Sequence, residues 1–259
     1  MKRISIISAM TTGLNPAFGT VQSMDIEDKP LGQGGFGEVY RASRIDGRTS
    51  AAQVIKLLID NGCGMAQRGL ETIQELQRRL NKKNAELLQI SGRTLLDQIP
   101  ALVGVPQFSF EGTLEGQRVV GYSANDLTAA GMEDFGKILE DDAKIWQFQN
   151  LPLASRMQIA FHLVSAFQFL SADVRFIHAD IKAEALFVDS KRLRCAVIDF
   201  DSGALARDPN DKPSTFGTRQ DWLAPEIVKQ LDAQGNTIRA VKVDLFSDIW
   251  SVSVAIHYL

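Results

Sequence analysis

The sequence predicts an α+β fold of two lobes, a small β-rich lobe with one main helix followed by a mainly helical lobe. Three observations predict it. Between residues 29 and 58, runs rich in Val, Ile and Tyr bracket a cluster of glycines, as strands joined by tight turns do. From about 66 to 90 there is no proline, and Leu70, Ile73, Leu76, Leu80, Leu87 and Ile90 recur at helical intervals among charges. From Leu153 to Leu170 a second helical pattern puts Ile159, Leu163, Phe167 and Leu170 on one face. At 259 residues the chain is long enough to build both lobes.

Taken in order, residues 1–24 read as an N-terminal arm or leader without sustained period. Lys2 and Arg3 precede the apolar run Ile4 to Met10, but serines interrupt it and no small-residue cleavage site follows, so a signal peptide is not expected. Residues 25–127 form the first lobe with its connection. It holds strand, glycine loop, strand, a third strand after the Asp46-Gly47 turn, then the long helix. Strands at Val103 to Phe110 and Gln117 to Ser123 follow, around a turn at Gly112 to Gly116, and Asn125 to Ala130 is a connector. Residues 128–259 form the second lobe, where a polar loop after the Leu153 helix runs into strands at Ala185 to Val188 and Cys195 to Phe200.

Composition removes several classes of function. With 45% hydrophobic and 23% charged residues, the chain is neither disordered nor fibrous. Its net charge of -3 supplies no basic field for nucleic acid or an acidic membrane surface. No apolar stretch approaches the roughly 20 residues that span a bilayer. Cys63 and Cys195 lack metal-ligand spacing, which fits a reducing, cytoplasmic setting. His162 and His257 lie on apolar helical faces and read as core or surface residues.

The chemistry-bearing residues begin with Gly32, Gly34 and Gly37, a G-x-G-x-x-G pattern through Gly35 and Phe36 whose bare backbone can approach phosphates. A dinucleotide fold needs a helix directly after such glycines, whereas Val39 and Tyr40 continue as strand. Lys56 follows on the next strand. Then come His178-Ala179-Asp180-Ile181-Lys182, Asp199-Phe200-Asp201, Gly217-Thr218, Ala224-Pro225-Glu226 and Ser247-Asp248-Ile249-Trp250-Ser251. In this order they resemble the protein kinase catalytic domain, from about Lys29 to the end, with the serine/threonine pattern suggested by Lys182 and Thr218.

The resemblance implies a two-lobed kinase fold using ATP with Mg²⁺ or Mn²⁺ and phosphorylating a protein substrate, with an activating protein partner left open. Gly32, Gly34, Gly35, Phe36 and Gly37 would cover the phosphates, and Lys56 would hold them while pairing with a helix glutamate. Val39, Tyr122 and Phe187 would border the base. Asp180 would orient the hydroxyl and take its proton, Lys182 would neutralise the transferring group, and Asp199 would bind the metal. For the helix glutamate, Glu86 is favoured over Glu75, although Glu75 lies at the usual 19 residues (75 − 56) from Lys56. Asp248 would sit on the buried helix that anchors the catalytic loop.

Five departures qualify this. Ala185 replaces the second metal-binding Asn, with Glu184 beside it as a substitute if the loop bends differently. Asp201 replaces the glycine after Asp-Phe, and the activation segment is then expected to be locked in one state. Val54 and Phe187 narrow the expected base slot. Ala179 removes the arginine that receives a phosphorylated activation segment, so phosphate on Ser214 or Thr215 is not expected to switch the enzyme on. The rival expectations are a pseudokinase that binds nucleotide or a partner, and a kinase fold transferring AMP or another group. By this alignment the chain ends at Leu259 within the anchoring helix, as a fragment or as a minimal kinase like the effectors that bacteria export into host cytoplasm.

Overall fold

The computed structural model describes residues 1–14, 20–49, 52–60, 64–217, 221–231 and 239–259. The chain divides into two compact units, 1–94 with 105–130 and 95–104 with 131–259. Cys63 and Thr218 lie outside the described residues.

The first unit contains β1 (Lys2–Thr11), β2 (Ser23–Ile26), β3 (Gly32–Gly34), β4 (Gly37–Ile45), β5 (Arg48–Thr49) and β6 (Gln53–Leu58). Helix α1 (Met65–Ser91) follows, and β7 (Phe108–Leu114) and β8 (Gln117–Asn125) complete the unit. All pairings are antiparallel. β1 pairs with β2 and β7, β7 with β8, β8 with β6, β6 with β4, and β4 with β2, so six strands close into a ring. Ile4, Met24, Ile26, Tyr40, Ile55, Phe108 and Phe110 fill one apolar cluster contributed by all of these strands except β8. Alternate residues of a strand face one side of its sheet, and this side is apolar on every contributing strand.

Within residues 1–24, expected to be an arm or leader without sustained period, Lys2–Thr11 is a full strand of the sheet. Its period is hidden by a register shift between Ile6 and Ser8, which leaves Ile7 68% exposed while Ile4 is fully buried. Helix α1 matches the predicted span to within a residue at each end. Gly64 and Gly92 flank it at φ 67°, and the Gly92 N–H closes the last turn on the Leu88 carbonyl at 3.0 Å. The strand expected from Val103 begins instead at Phe108. Residues Pro100–Gly104 form a 3-10 turn that belongs to the second unit, where Ala101 and Leu102 are fully buried. Pro100 and Pro106 lack the N–H that a sheet ladder requires there.

The second unit opens with α2 (Leu95–Gln98) and continues with β9 (Glu133–Asp134), α3 (Phe135–Leu139), α4 (Asp142–Gln149) and α5 (Leu153–Phe169). Next come β10 (Phe176–Ile177), β11 (Leu186–Asp189), β12 (Arg194–Val197) and β13 (Ala204–Leu205). β14 (Ser214–Gly217), α6 (Pro225–Val228), β15 (Arg239–Lys242) and α7 (Ser247–Tyr258) end it. Asp134 and Asp141 cap α3 and α4, each accepting from two backbone N–H groups. The small ladders are β9–β11–β12, β10–β13 and β14–β15. A buried cluster of Ile177, Leu223, Ala224, Ile227, Val241 and Val243 joins β10 to α6 and β15. Among the described residues, no helix is long and apolar enough to cross a membrane.

Candidate active site

In the first unit, β3 and β4 make the glycine hairpin, with Gly32 opposite Val39, Gly34 opposite Gly37, and Gly35-Phe36 as the turn. A Cβ added at Gly32 or Gly34 would meet nothing within 4 Å, so their backbone borders open space that phosphates can approach. Gly37 differs. A Cβ there would collide with the Leu57 carbonyl oxygen, so its smallness serves the packing of β4 on β6.

Lys56 on β6 lies opposite Val39 on β4 and opposite Tyr122 on β8. Directly opposed residues share a sheet face, and the Lys56 ammonium stands 5.9 Å from the Tyr122 ring centroid. Helix α1 packs on this face, because Ser109, opposite Tyr122, donates from Oγ to Gln77 Oε1 at 2.7 Å.

None of Glu71, Glu75 and Glu86 belongs to the residues that α1 buries. Glu86 is 42% exposed and pairs with Lys83 at 3.2 Å, whereas Glu75 is 34% exposed and pairs with both Arg78 and Arg79. Past Gln77 the helix meets the end of β1, where Asn81 and Asn84 bond Thr11 and Gly13. Glu86, nine residues beyond Gln77 (86 − 77), is therefore about 13 Å farther along the axis in the direction away from β6.

In the second unit, the buried carboxylate of Asp248 accepts from the backbone N–H of His178 at 2.7 Å and of Ala179 at 2.9 Å. The His178 ring is held by a 2.7 Å hydrogen bond between Nε2 and the Ile198 carbonyl, and it lies among Phe167, Phe176 and Phe200. Asp180 follows directly, 5% exposed, and accepts from Lys182 Nζ at 2.9 Å. Burial raises the Asp180 carboxyl above its ordinary range, and Asp199 adds to this, while Lys182 opposes it. Burial alone would lower the Lys182 ammonium, but the carboxylates of Asp180, Asp199 and Glu184 together hold it high.

Asp199 takes a left-handed backbone at φ 63°, a conformation that costs an aspartate less than most residues. Asp201 sits buried in the one-turn 3-10 helix Phe200–Ser202 without a positive φ, so this backbone makes no demand for glycine there. The residue that must be small is Gly203. A Cβ on it would lie 2.6 Å from Phe176 Cε2 and 2.7 Å from the Ile177 carbonyl oxygen. Thr215 is buried with its hydroxyl donated to the Ser202 carbonyl. Ala185 is fully buried, bonded through its backbone to Lys182 and Ile198 at 3.0 Å each. Glu184 turns toward α3, where its Cγ fills the space a side chain on Gly136 would need and its charge acts on Asp134. Phe187 is half-buried on β11, opposite Ala196.

Beside Lys182 opens a cavity of about 420 Å³, walled by Ile138, Phe148, Trp222 and Tyr258, with Glu184 and Asp221 as its carboxylates. Trp222 and Tyr258 stack at 5.8 Å with 4° between their planes. Sequence reasoning singled out neither Gly203 nor this cavity. The Gly203 signal was a glycine two residues after Asp201, and the cavity draws its walls from segments up to 120 residues apart (258 − 138). Among the described residues, no three His, Cys, Asp or Glu side chains gather into a metal cluster. Cys195 is buried, and burial pushes its thiol up to about 12, so it is chemically quiet. Partial burial also lowers the imidazole of His162, which is half-buried on α5.

Each unit thus carries its own part of the motif set that the kinase resemblance singles out, a glycine hairpin with a strand lysine in the first and, in the second, an aspartate–lysine pair on a loop held by a buried aspartate. Residues 26–258 match the family model of the protein tyrosine and serine/threonine kinases, and the chain belongs to that family. It is similar to the probable serine/threonine-protein kinase kinX of Dictyostelium discoideum, 24% identical over 84% of this chain and 17% of that one. It is also 27% identical to serine/threonine-protein kinase 1 of African swine fever virus, over 58% of this chain and 47% of the other. Mitogen-activated protein kinase kinase kinase 3 of Arabidopsis thaliana is 28% identical over 87% of this chain and 33% of its own. The chain thus spans less than half the length of each of these relatives.

Proposed function

We propose that the chain transfers the γ-phosphate of ATP to a Ser or Thr hydroxyl of a protein substrate. The observation that carries this is the Asp180–Lys182 pair, its aspartate buried, on a loop whose backbone Asp248 fixes. Asp180 orients the acceptor hydroxyl and takes its proton, its raised affinity for protons suiting that role. Lys182 neutralises charge on the group in transfer, at the cost of loosening its bond to Asp180. The open backbone at Gly32 and Gly34 fits the phosphates of ATP, with Lys56 as their cation and Val39, Tyr122 and Phe187 near the base. Mg²⁺ or Mn²⁺ needs few protein carboxylates when phosphates complete its shell, and Asp199 is the residue assigned to it. That ion supplies charge neutralisation at the phosphates. Glu75, at the usual separation and the more sheltered carboxylate, is assigned as the α1 partner of Lys56.

A second reading, nucleotide or partner binding with little turnover, is favoured by one observation. Ala185 is fully buried where the resemblance puts the second metal ligand, and Glu184 is turned toward Gly136, which speaks against Glu184 as its replacement. The two readings separate when the chain is offered MgATP or MnATP and a panel of Ser- and Thr-containing peptides. Phosphopeptide that vanishes in Asp199→Ala supports transfer. Thermal stabilisation by ATP with unmodified peptides supports binding alone, and a nucleotide adduct on peptide would show AMP transfer instead.

A further inference from the structure

We propose that the N-terminal strand β1 is a built-in positioning element for helix α1, and that Asn81 is the positioning residue through which it acts on the reaction. The inference rests on the phosphotransfer reading above and adds a control to it. At the end of β1 three consecutive residues point alternately to two neighbours. Thr12 is buried and donates both its N–H, at 2.7 Å, and its Oγ1, at 2.9 Å, to the Gln107 carbonyl at the entry to β7. Thr11 and Gly13 on either side grip α1 instead. Asn81 Nδ2 donates to the Thr11 carbonyl at 3.1 Å, and the Asn81 Oδ1 accepts from the Gly13 N–H. Asn84, one turn on, donates to the Gly13 carbonyl at 3.4 Å.

Asparagine is a weak helix former, and two of them in the middle of a 27-residue helix work against it locally. What they gain is a fixed register. Apolar side chains alone let a helix slide and roll at modest cost, whereas paired amides satisfy their hydrogen bonds at one height and one rotation. Gln77 does the same one turn earlier through Ser109 and through the Pro106 carbonyl at 3.3 Å. Three polar residues over two turns therefore pin α1 to β1 and β7, on the face from which Lys56 emerges. β1 also covers the edge that β7 would otherwise present, so the contact is made in cis by the chain's own first residues.

The test compares the full chain with Asn81→Leu, which keeps the branched shape and removes both hydrogen bonds, and with Asn81→Asp, which keeps the acceptor for Gly13. Hydrogen exchange over residues 81–91, affinity for a fluorescent ATP analogue, and kcat against KM for peptide are measured. Asn81→Leu is expected to speed exchange there about tenfold, as loss of about 1.4 kcal/mol would. It should weaken the analogue severalfold and lower kcat with peptide KM unchanged, and Asn81→Asp should recover part of each. Unchanged exchange in Asn81→Leu, faster exchange with nucleotide affinity intact, or a rise in kcat would each overturn the proposal. Because exchange and nucleotide affinity need no turnover, they decide it even in a chain that transfers no phosphate.

Discussion

Asp248 holds the backbone of His178, 70 positions earlier in the sequence, through a 2.7 Å hydrogen bond, and with its other oxygen takes the next N–H at Ala179. Both donors are buried, so an asparagine there could accept one bond and would turn its own NH₂ toward the other donor. Asp248→Asn is expected to cost about 1–3 kcal/mol and to lower the melting temperature by several degrees. Ala179 sits at φ 62°, a strained position for a residue with a Cβ. Ala179→Gly should therefore stabilise the fold by about 1 kcal/mol. Thermal melts of the two variants read both signs.

The pH profile follows from the neighbours of Asp180. Burial raises its carboxyl above the ordinary 3.8, so the ionised base is lost at a higher pH than an exposed aspartate would lose it. The acid limb of kcat/KM is expected above the ordinary carboxylate range. Lys182 opposes the shift, and removing its charge in Lys182→Met should move that limb to higher pH still, alongside a lower plateau. A limb that stays put or moves to lower pH in Lys182→Met contradicts the pairing as described.

Two glycines of one motif should respond oppositely. Gly34→Ala points a methyl into open space and should leave stability within about 0.5 kcal/mol while raising KM for ATP. Gly37→Ala drives a methyl into the Leu57 carbonyl and should destabilise the first unit whether or not nucleotide is present. Melting curves with and without ATP distinguish the two effects.

The stretch after Asp199 is fastened by Thr215, whose buried hydroxyl bonds the Ser202 carbonyl and lies 3.3 Å from that of Gly203. Thr215→Val should cost about 1 kcal/mol, and Thr215→Glu, which buries a charge there, should unfold the segment rather than activate the enzyme. Peptide phosphorylation by the two variants, with proteolysis of the segment as a second reading, checks this.

The second unit's candidate residues stood out in the sequence because they sit in short local groups. Asp180 and Lys182 are two apart, Asp199 and Phe200 are adjacent, and each group carries its own chemistry. The anchoring role of Asp248 was legible through the family resemblance and is seen in its two hydrogen bonds. What the sequence hid was non-local. The pairing of β1 joins Ile4 to Leu114, and a shifted register breaks the alternation that would have betrayed the strand. The demand for a small residue fell on Gly203 because the Phe176 ring packs there, which no local pattern reveals. Which glutamate of α1 serves Lys56 was hidden too, because the distance of Glu86 from Pro100 says nothing about which strand the helix crosses at that point.

The most direct test of phosphoryl transfer is the intact mass of the chain and of a generic basic protein after incubation with ATP and either Mg²⁺ or Mn²⁺. Wild type, Asp180→Ala and Ala185→Asn are run side by side. The account predicts phosphate on the wild-type reaction, its loss in Asp180→Ala, and more of it in Ala185→Asn, where a second metal ligand is restored. Phosphate that persists undiminished in Asp180→Ala, or none in either wild type or Ala185→Asn, would contradict it.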